Sequence, residues 1–122
     1  MKKRILVVDD SEFVRSYHSH ILAQASFDVL TAVDGSDGLE KLYTHACDLI
    51  LTDINMAHMD GYEFIRRVRA EPQYEDVPII IISTESGKDD KMKGFEAGAN
   101  LYIVKPSEPA VMIENIRLVL AG

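Results

Sequence analysis

The stretch Leu49-Ile50-Leu51-Thr52-Asp53, running on as Ile54-Asn55-Met56-Ala57-His58-Met59-Asp60-Gly61, decides the fold. An apolar run ends abruptly in a carboxylate, and a polar loop closed by Asp60-Gly61 follows. Apolar runs of this length between turn signals suit a strand buried on both faces of a parallel sheet. Asp53 then stands at the carboxyl end of that strand, where open α/β sheets keep their ligands and chemistry. Taken alone, an Asp at a strand end is as readily a turn residue, so its meaning depends on the rest of the chain.

Working outward, residues 5–8 (Ile5-Leu6-Val7-Val8) form another all-apolar run and end in Asp9-Asp10. Further strands are predicted over 29–32, 79–82 and 101–104, the last two leading into Ser83-Thr84 and Lys105-Pro106. Helical spacing fills the gaps. The first helix opens at Ser11 and Glu12, with Val14, Tyr17, Ile21 and Leu22 inward. The second, after Gly35-Ser36, turns Leu39, Leu42 and Tyr43 inward, and the third carries Phe64, Ile65 and Val68 and ends before Pro72. A fourth lies between Gly87 and Gly98 with Met92 and Phe95 expected in the core. The fifth starts around residues 107–109 and carries Ile113, Ile116, Val119 and Leu120. Five strands alternating with five helices imply an α/β, doubly wound (βα)5 sandwich of three layers. The flavodoxin-like strand order 2-1-3-4-5 is the expected topology.

The bulk numbers remove several function classes. The 122 residues are expected to form a single domain, 1–122, with no linker, repeat or low-complexity segment. A formal net charge of −7 argues against sequence-independent nucleic-acid binding, and the Arg66, Arg67 and Arg69 group reads as a solvated helix face. No run has the length of a membrane span, and the short apolar segment after Met1-Lys2-Lys3-Arg4 is no signal peptide. The single cysteine, Cys47, forbids an internal disulfide, so a cytoplasmic setting is expected.

In a parallel sheet all carboxyl ends share one rim. Asp9, Asp10, Asp53, Ser83, Thr84 and Lys105 are therefore expected around one small cleft. Three like charges together disfavour one another's ionisation unless a cation neutralises them. An all-oxygen acidic set suits Mg²⁺, which keeps several waters and needs few protein ligands.

With these residues in view, the chain resembles the response-regulator receiver domain. The likeness rests on Asp9-Asp10, Asp53, Met56, Met59-Asp60-Gly61, Ser83 and Lys105-Pro106 in register along the whole chain. Asn55, Glu85 and residues 102–106 bring it nearest to the stand-alone chemotaxis type. The departures are Ala57 where the family usually has proline, Ser107 where an aromatic is common, and Thr84 where Ala or Gly is frequent.

The resemblance implies a phosphoacceptor switch of a two-component relay. Asp53 would take a phosphoryl group from a histidine kinase or phosphotransfer protein. Asp10, Asp53 and the main-chain carbonyl of Asn55 would hold Mg²⁺, with Asp9 acting directly or through water. Lys105 and Ser83 would meet the phosphoryl oxygens, and Lys105-Pro106 is expected to be a cis peptide. Asn55, Thr84 and Glu85 would tune dephosphorylation. Ser83 and Tyr102 would carry the change to the face of helix four, strand five and helix five, where an output protein docks, in chemotaxis or motility. The protein would modify only itself, would bind no nucleic acid or membrane, and would be a monomer or weak dimer.

Three rivals are weaker. A phosphatase of the haloacid dehalogenase type expects Asp-x-Asp after strand one, whereas Asp9 and Asp10 are adjacent. A flavin or nucleotide carrier expects a glycine-rich loop there, which is missing. A phosphorylation-independent interaction module stays open. His18, His20, His45 and His58 read as structural or surface residues, Cys47 as packed, and Asp89-Asp90 as first-turn charge. The end in helix five leads one to expect no output domain after it and the Met1 start favours an intact amino terminus, while a complete regulator and a piece cut from a longer protein both stay open.

Overall fold

The computed structural model describes residues 2–122. Its elements are β1 (Arg4–Val8), α1 (Glu12–Gln24), β2 (Asp28–Ala32), α2 (Gly35–Thr44), β3 (Leu49–Thr52), α3 (Gly61–Ala70), β4 (Ile79–Ser83), α4 (Lys88–Ala97), β5 (Leu101–Val104) and α5 (Pro109–Ala121). A short 3₁₀ turn over Pro72–Tyr74, not anticipated, follows α3 where Pro72 prevents the helix from continuing. The strands form one parallel sheet in the order β2-β1-β3-β4-β5, as expected. Among the described residues no helix is long and apolar enough to cross a membrane.

Side chains of a strand alternate between the two faces of a sheet, and that period splits the core in two. Leu6, Val8, Ile50, Ile79 and Ile81 face one way and pack with Leu39 and Leu42 of α2 and Phe64, Ile65 and Val68 of α3. Ile5, Val7, Leu49, Leu51, Ile80, Ile82 and Ile103 face the other way, onto Leu22 of α1 and Met112 and Ile116 of α5. Both faces are covered, which is why the central strands are apolar apart from Arg4, Thr52 and Ser83 at their ends. Burying one such aliphatic side chain contributes about 2 kcal/mol.

Several inward assignments are corrected. Met92 and Phe95 are about half exposed, at 49% and 50%. The sheet side of α4 is occupied instead by Gly94 and Ala97, three residues apart. A Cβ at Gly94 would meet Ile81 Cδ1 at 2.6 Å, so α4 approaches too closely for a large side chain there. Tyr17 and Tyr43 are likewise exposed, displaced from the inner stripe by their neighbours His18 and Leu42. Tyr43 stacks on Tyr74. Arg69 is not part of a solvated face. Its guanidinium donates to Gly98 O (3.0 Å), Tyr74 O (2.8 Å) and Asn100 Oδ1 (2.9 Å). Asn100 Oδ1 also accepts from Ile79 N, so Arg69 holds together the amino ends of β4 and β5.

Candidate functional site

The sheet ladder runs past the last strand residues and fixes the rim. Asp9 N donates to Ala32 O (3.1 Å), Asp53 N to Val8 O (3.0 Å) and Lys105 N to Ser83 O (2.7 Å). Each of these three residues is thereby hung from the neighbouring strand at the carboxyl edge. The peptide joining Lys105 to Pro106 is cis.

Their side chains converge. Lys105 Nζ lies 3.3 Å from Asp9 Oδ2 and 3.5 Å from Asp53 Oδ2. Asp9 is 2% exposed. Its Oδ1 accepts from Ser11 N at 2.9 Å, and its carbonyl accepts from Arg15 Nη1 at 2.7 Å. Ser11 in turn caps α1, its Oγ accepting from Val14 N. Asp53 Oδ1 accepts from Ile54 N at 2.7 Å. Burial raises the Asp53 carboxyl above the usual carboxylate range, while the Lys105 ammonium and the Ile54 amide pull it back.

Behind Asp53 the backbone is tightly packed. A Cβ on Gly61 would collide with the Asp53 carbonyl, and Gly61 N donates to Ile54 O at 2.7 Å. Only glycine fits here, which accounts physically for the Asp60-Gly61 pair. Asp60 also caps α3, accepting from Glu63 N.

Asp10 is exposed and joins neither carboxylate: two acids rather than three close on the ammonium. Among the described residues no group of three His, Cys, Asp or Glu side chains converges on a point. The donors nearby are nevertheless all hard oxygens, and Mg²⁺ needs few of them because it retains water. The donor chemistry fits that ion.

Ser83 is fully buried and its Oγ accepts from Glu85 N at 3.1 Å. Thr84, Glu85 and Asn55 are exposed at the mouth. Asn55 Nδ2 donates to Glu85 Oε1 at 3.2 Å, bridging the loops after β3 and β4. Tyr102 is half-buried, and its hydroxyl donates to Glu85 O at 2.7 Å instead of resting in water.

Two nearby residues escaped sequence reasoning. His18 is 4% exposed and, together with Lys105, Thr84, Pro106 and Met112, lines a groove of about 340 Å³ between α1 and α5. Burial, then the Lys105 charge, lower its pKa. The signal was present: His18 lies four residues after Val14 and three before Ile21, on the inner stripe. Tyr62 donates its hydroxyl to Asp90 O at 3.1 Å, linking α3 to α4. Nothing local in the sequence announces that bond.

Comparison with known proteins agrees with this geometry. The model of the response regulator receiver domain matches residues 5–117. The chain is 40% identical over 119 residues to chemotaxis protein CheY1 of Helicobacter pylori, covering 96% of each. It is also 40% identical to a chemotaxis protein CheY homolog of Campylobacter jejuni, covering 96% of this chain and 92% of that one. The structure of Vibrio cholerae chemotaxis protein CheY4 superposes with a TM-score of 0.93 at 36% identity, over 98% of this chain and 99% of that one. Whole-length similarity of sequence and fold, with Asp9, Asp53 and Lys105 meeting on one rim, shows that this chain belongs to the response-regulator receiver family.

Proposed function

We propose that residues 1–122 act as a single cytoplasmic receiver switch whose phosphoacceptor is Asp53. Receiver domains are signalling switches of two-component systems and not turnover enzymes. The observation that carries the assignment is the position of the Lys105 ammonium between Asp9 and Asp53. That cation offsets the charge of the nucleophile and of the oxygens it would receive, and phosphoryl transfer is catalysed mainly by such positioning and charge stabilisation.

In the proposed step, an Asp53 carboxylate oxygen attacks phosphorus and the bond to the donor histidine nitrogen breaks. The products are an acyl phosphate on Asp53 and a free imidazole on the donor. Lys105 exchanges part of its contact with Asp53 for a phosphoryl oxygen, and the Ser83 hydroxyl donates to another. Asp10, Asp53 and the Asn55 carbonyl, with Asp9 direct or through water, would hold Mg²⁺. When bound, the ion neutralises phosphoryl charge. Asn55, Thr84 and Glu85 surround the path of attacking water and set the rate of phosphoryl loss.

The added charge and acceptors draw Ser83 and the loop after β4 toward the phosphoryl group. Tyr102, bonded to Glu85 O in that loop, shifts with it, and the α4–β5–α5 face changes for an output protein. The chemotaxis proteins among the relatives support a motility pathway. Donor and output proteins are the expected partners, with neither nucleic acid nor membrane involved, and the protein is expected to be a monomer or weak dimer.

The test is intact mass after incubation with acetyl phosphate and Mg²⁺. A phosphoryl adduct on the wild type that disappears with a chelator and in Asp53→Asn supports the assignment. An equal adduct on Asp53→Asn would move the acceptor elsewhere, and sustained turnover of a phosphomonoester would favour the phosphatase rival.

A further inference from the structure

The helices differ in what holds their first turns. Ser11, Asp34 and Asp60 cap α1, α2 and α3 through side-chain oxygens that accept from Val14 N, Asp37 N and Glu63 N. α4 has Gly87 at its N-cap position and so no side-chain cap. It spans ten residues and buries only Gly94 and Ala97. An uncapped, short helix with so little apolar contact depends on whatever else fastens it.

Two tyrosine hydroxyls do so, one from β5 and one from α3. Tyr102 of β5 donates to Glu85 O just ahead of α4, and Tyr62 of α3 donates to Asp90 O within its first turn. Burial, with Tyr102 and the surrounding acids, pushes the Tyr62 phenol up to about 12, so it remains a donor at any ordinary pH. Tyr62 directly follows Gly61, the residue packed on the Asp53 carbonyl and hydrogen-bonded to Ile54 O.

We propose that Tyr62 is a positioning residue that fastens α4 to the loop carrying Asp53, so that movement of residues 53–61 is passed to α4. The transmission rests on the phosphoacceptor reading above; the fastening does not. The path consists of Asp53, the close-packed Gly61 backbone, the Tyr62 ring and its bond to Asp90 O. It reaches α4 from α3, through a bond distinct from the one that Tyr102 of β5 makes to Glu85 O.

The test is hydrogen exchange of the α4 amides in the full chain, comparing wild type, Tyr62→Phe and Tyr62→Leu. Tyr62→Phe keeps the ring and removes only the hydroxyl. Without phosphorylation, exchange at the amides of residues 91–95 should quicken roughly fivefold in Tyr62→Phe, the factor for one ordinary hydrogen bond. The β-strand amides should be unchanged. Equal α4 exchange in wild type and Tyr62→Phe, with loss only in Tyr62→Leu, would mean that the residue merely packs and would overturn the proposal.

Acetyl phosphate and Mg²⁺ are then added. The wild type should show a phosphorylation-dependent change in α4 exchange, and Tyr62→Phe less than half of it at equal adduct mass. An undiminished change would overturn the transmission. A wild type without adduct would refute the phosphoacceptor reading and leave the first comparison to decide the fastening.

Discussion

Asn55 and Glu85, thirty positions apart in sequence, are joined by a 3.2 Å hydrogen bond across the mouth of the acidic cleft. Both side chains are exposed. On the proposed reading, the bond lies over the path that a hydrolytic water takes to a phosphoryl group on Asp53. Asn55→Ala is expected to quicken phosphoryl loss about threefold, as expected for a hydrogen bond of under 1 kcal/mol. Decay of the adduct mass after desalting measures it, and an unchanged lifetime would show that the bridge does not gate water.

The partly buried Asp53 carboxylate has a stability consequence with a definite sign. Its pKa in the folded chain is raised, so the folded state holds the proton more tightly than the unfolded one. Below the ordinary carboxylate value both states are protonated and no penalty exists; as pH rises through the raised pKa, stability falls. Asp53→Asn removes that penalty. Its Tm should exceed that of wild type at pH 7. The advantage should vanish near pH 3.5, below the unperturbed Asp value of about 3.9. Calorimetry at the two pH values decides it.

Gly61→Ala forces a Cβ onto the Asp53 carbonyl and the Ile54 backbone, neither of which can step aside as a side-chain tip would. A loss of about 2 kcal/mol in denaturant unfolding is expected. The adduct should form more slowly by about two orders of magnitude, since displacement of a reacting group by an ångström has that effect. A variant of wild-type stability and rate would mean that the loop is softer than its packing implies.

Much of this was readable in advance, for definite reasons. Strands buried on both faces leave unbroken apolar runs, so β1, β3 and β4 announced themselves, β5 showed as a short apolar run at the sheet edge, and parallel order placed Asp9, Asp53, Ser83 and Lys105 on one rim. α4 misled because its inner stripe is Gly94 and Ala97. A search for large apolar residues selects Met92 and Phe95, which face outward. Arg69 looked like its exposed neighbours Arg66 and Arg67 because its acceptors come from residues 74, 98 and 100. Bonds between distant loops, such as Asn55 with Glu85 or Tyr62 with Asp90, leave no periodic trace at all.

Arg69 offers a contrasting variant at the far edge of the sheet. Arg69→Met leaves Gly98 O, Tyr74 O and Asn100 Oδ1 without that donor. Stability should fall by about 2 kcal/mol, as for the loss of hydrogen bonds from a charged donor. The rate of adduct formation in the folded protein should stay within about twofold of wild type. A large loss of rate at full stability would refute this separation.

The same separation exists inside the cleft. The Asp53 backbone is boxed in by Gly61, whereas Asn55, Thr84 and Glu85 stand at the mouth with solvent around them. Exposed positions of this kind can be exchanged at almost no expense in folding. On the proposed reading, the duration of the signal is therefore written in replaceable letters around an invariant chemistry. A lineage could turn a fast reporter into a slow memory, or back again, without rebuilding the machine that does either.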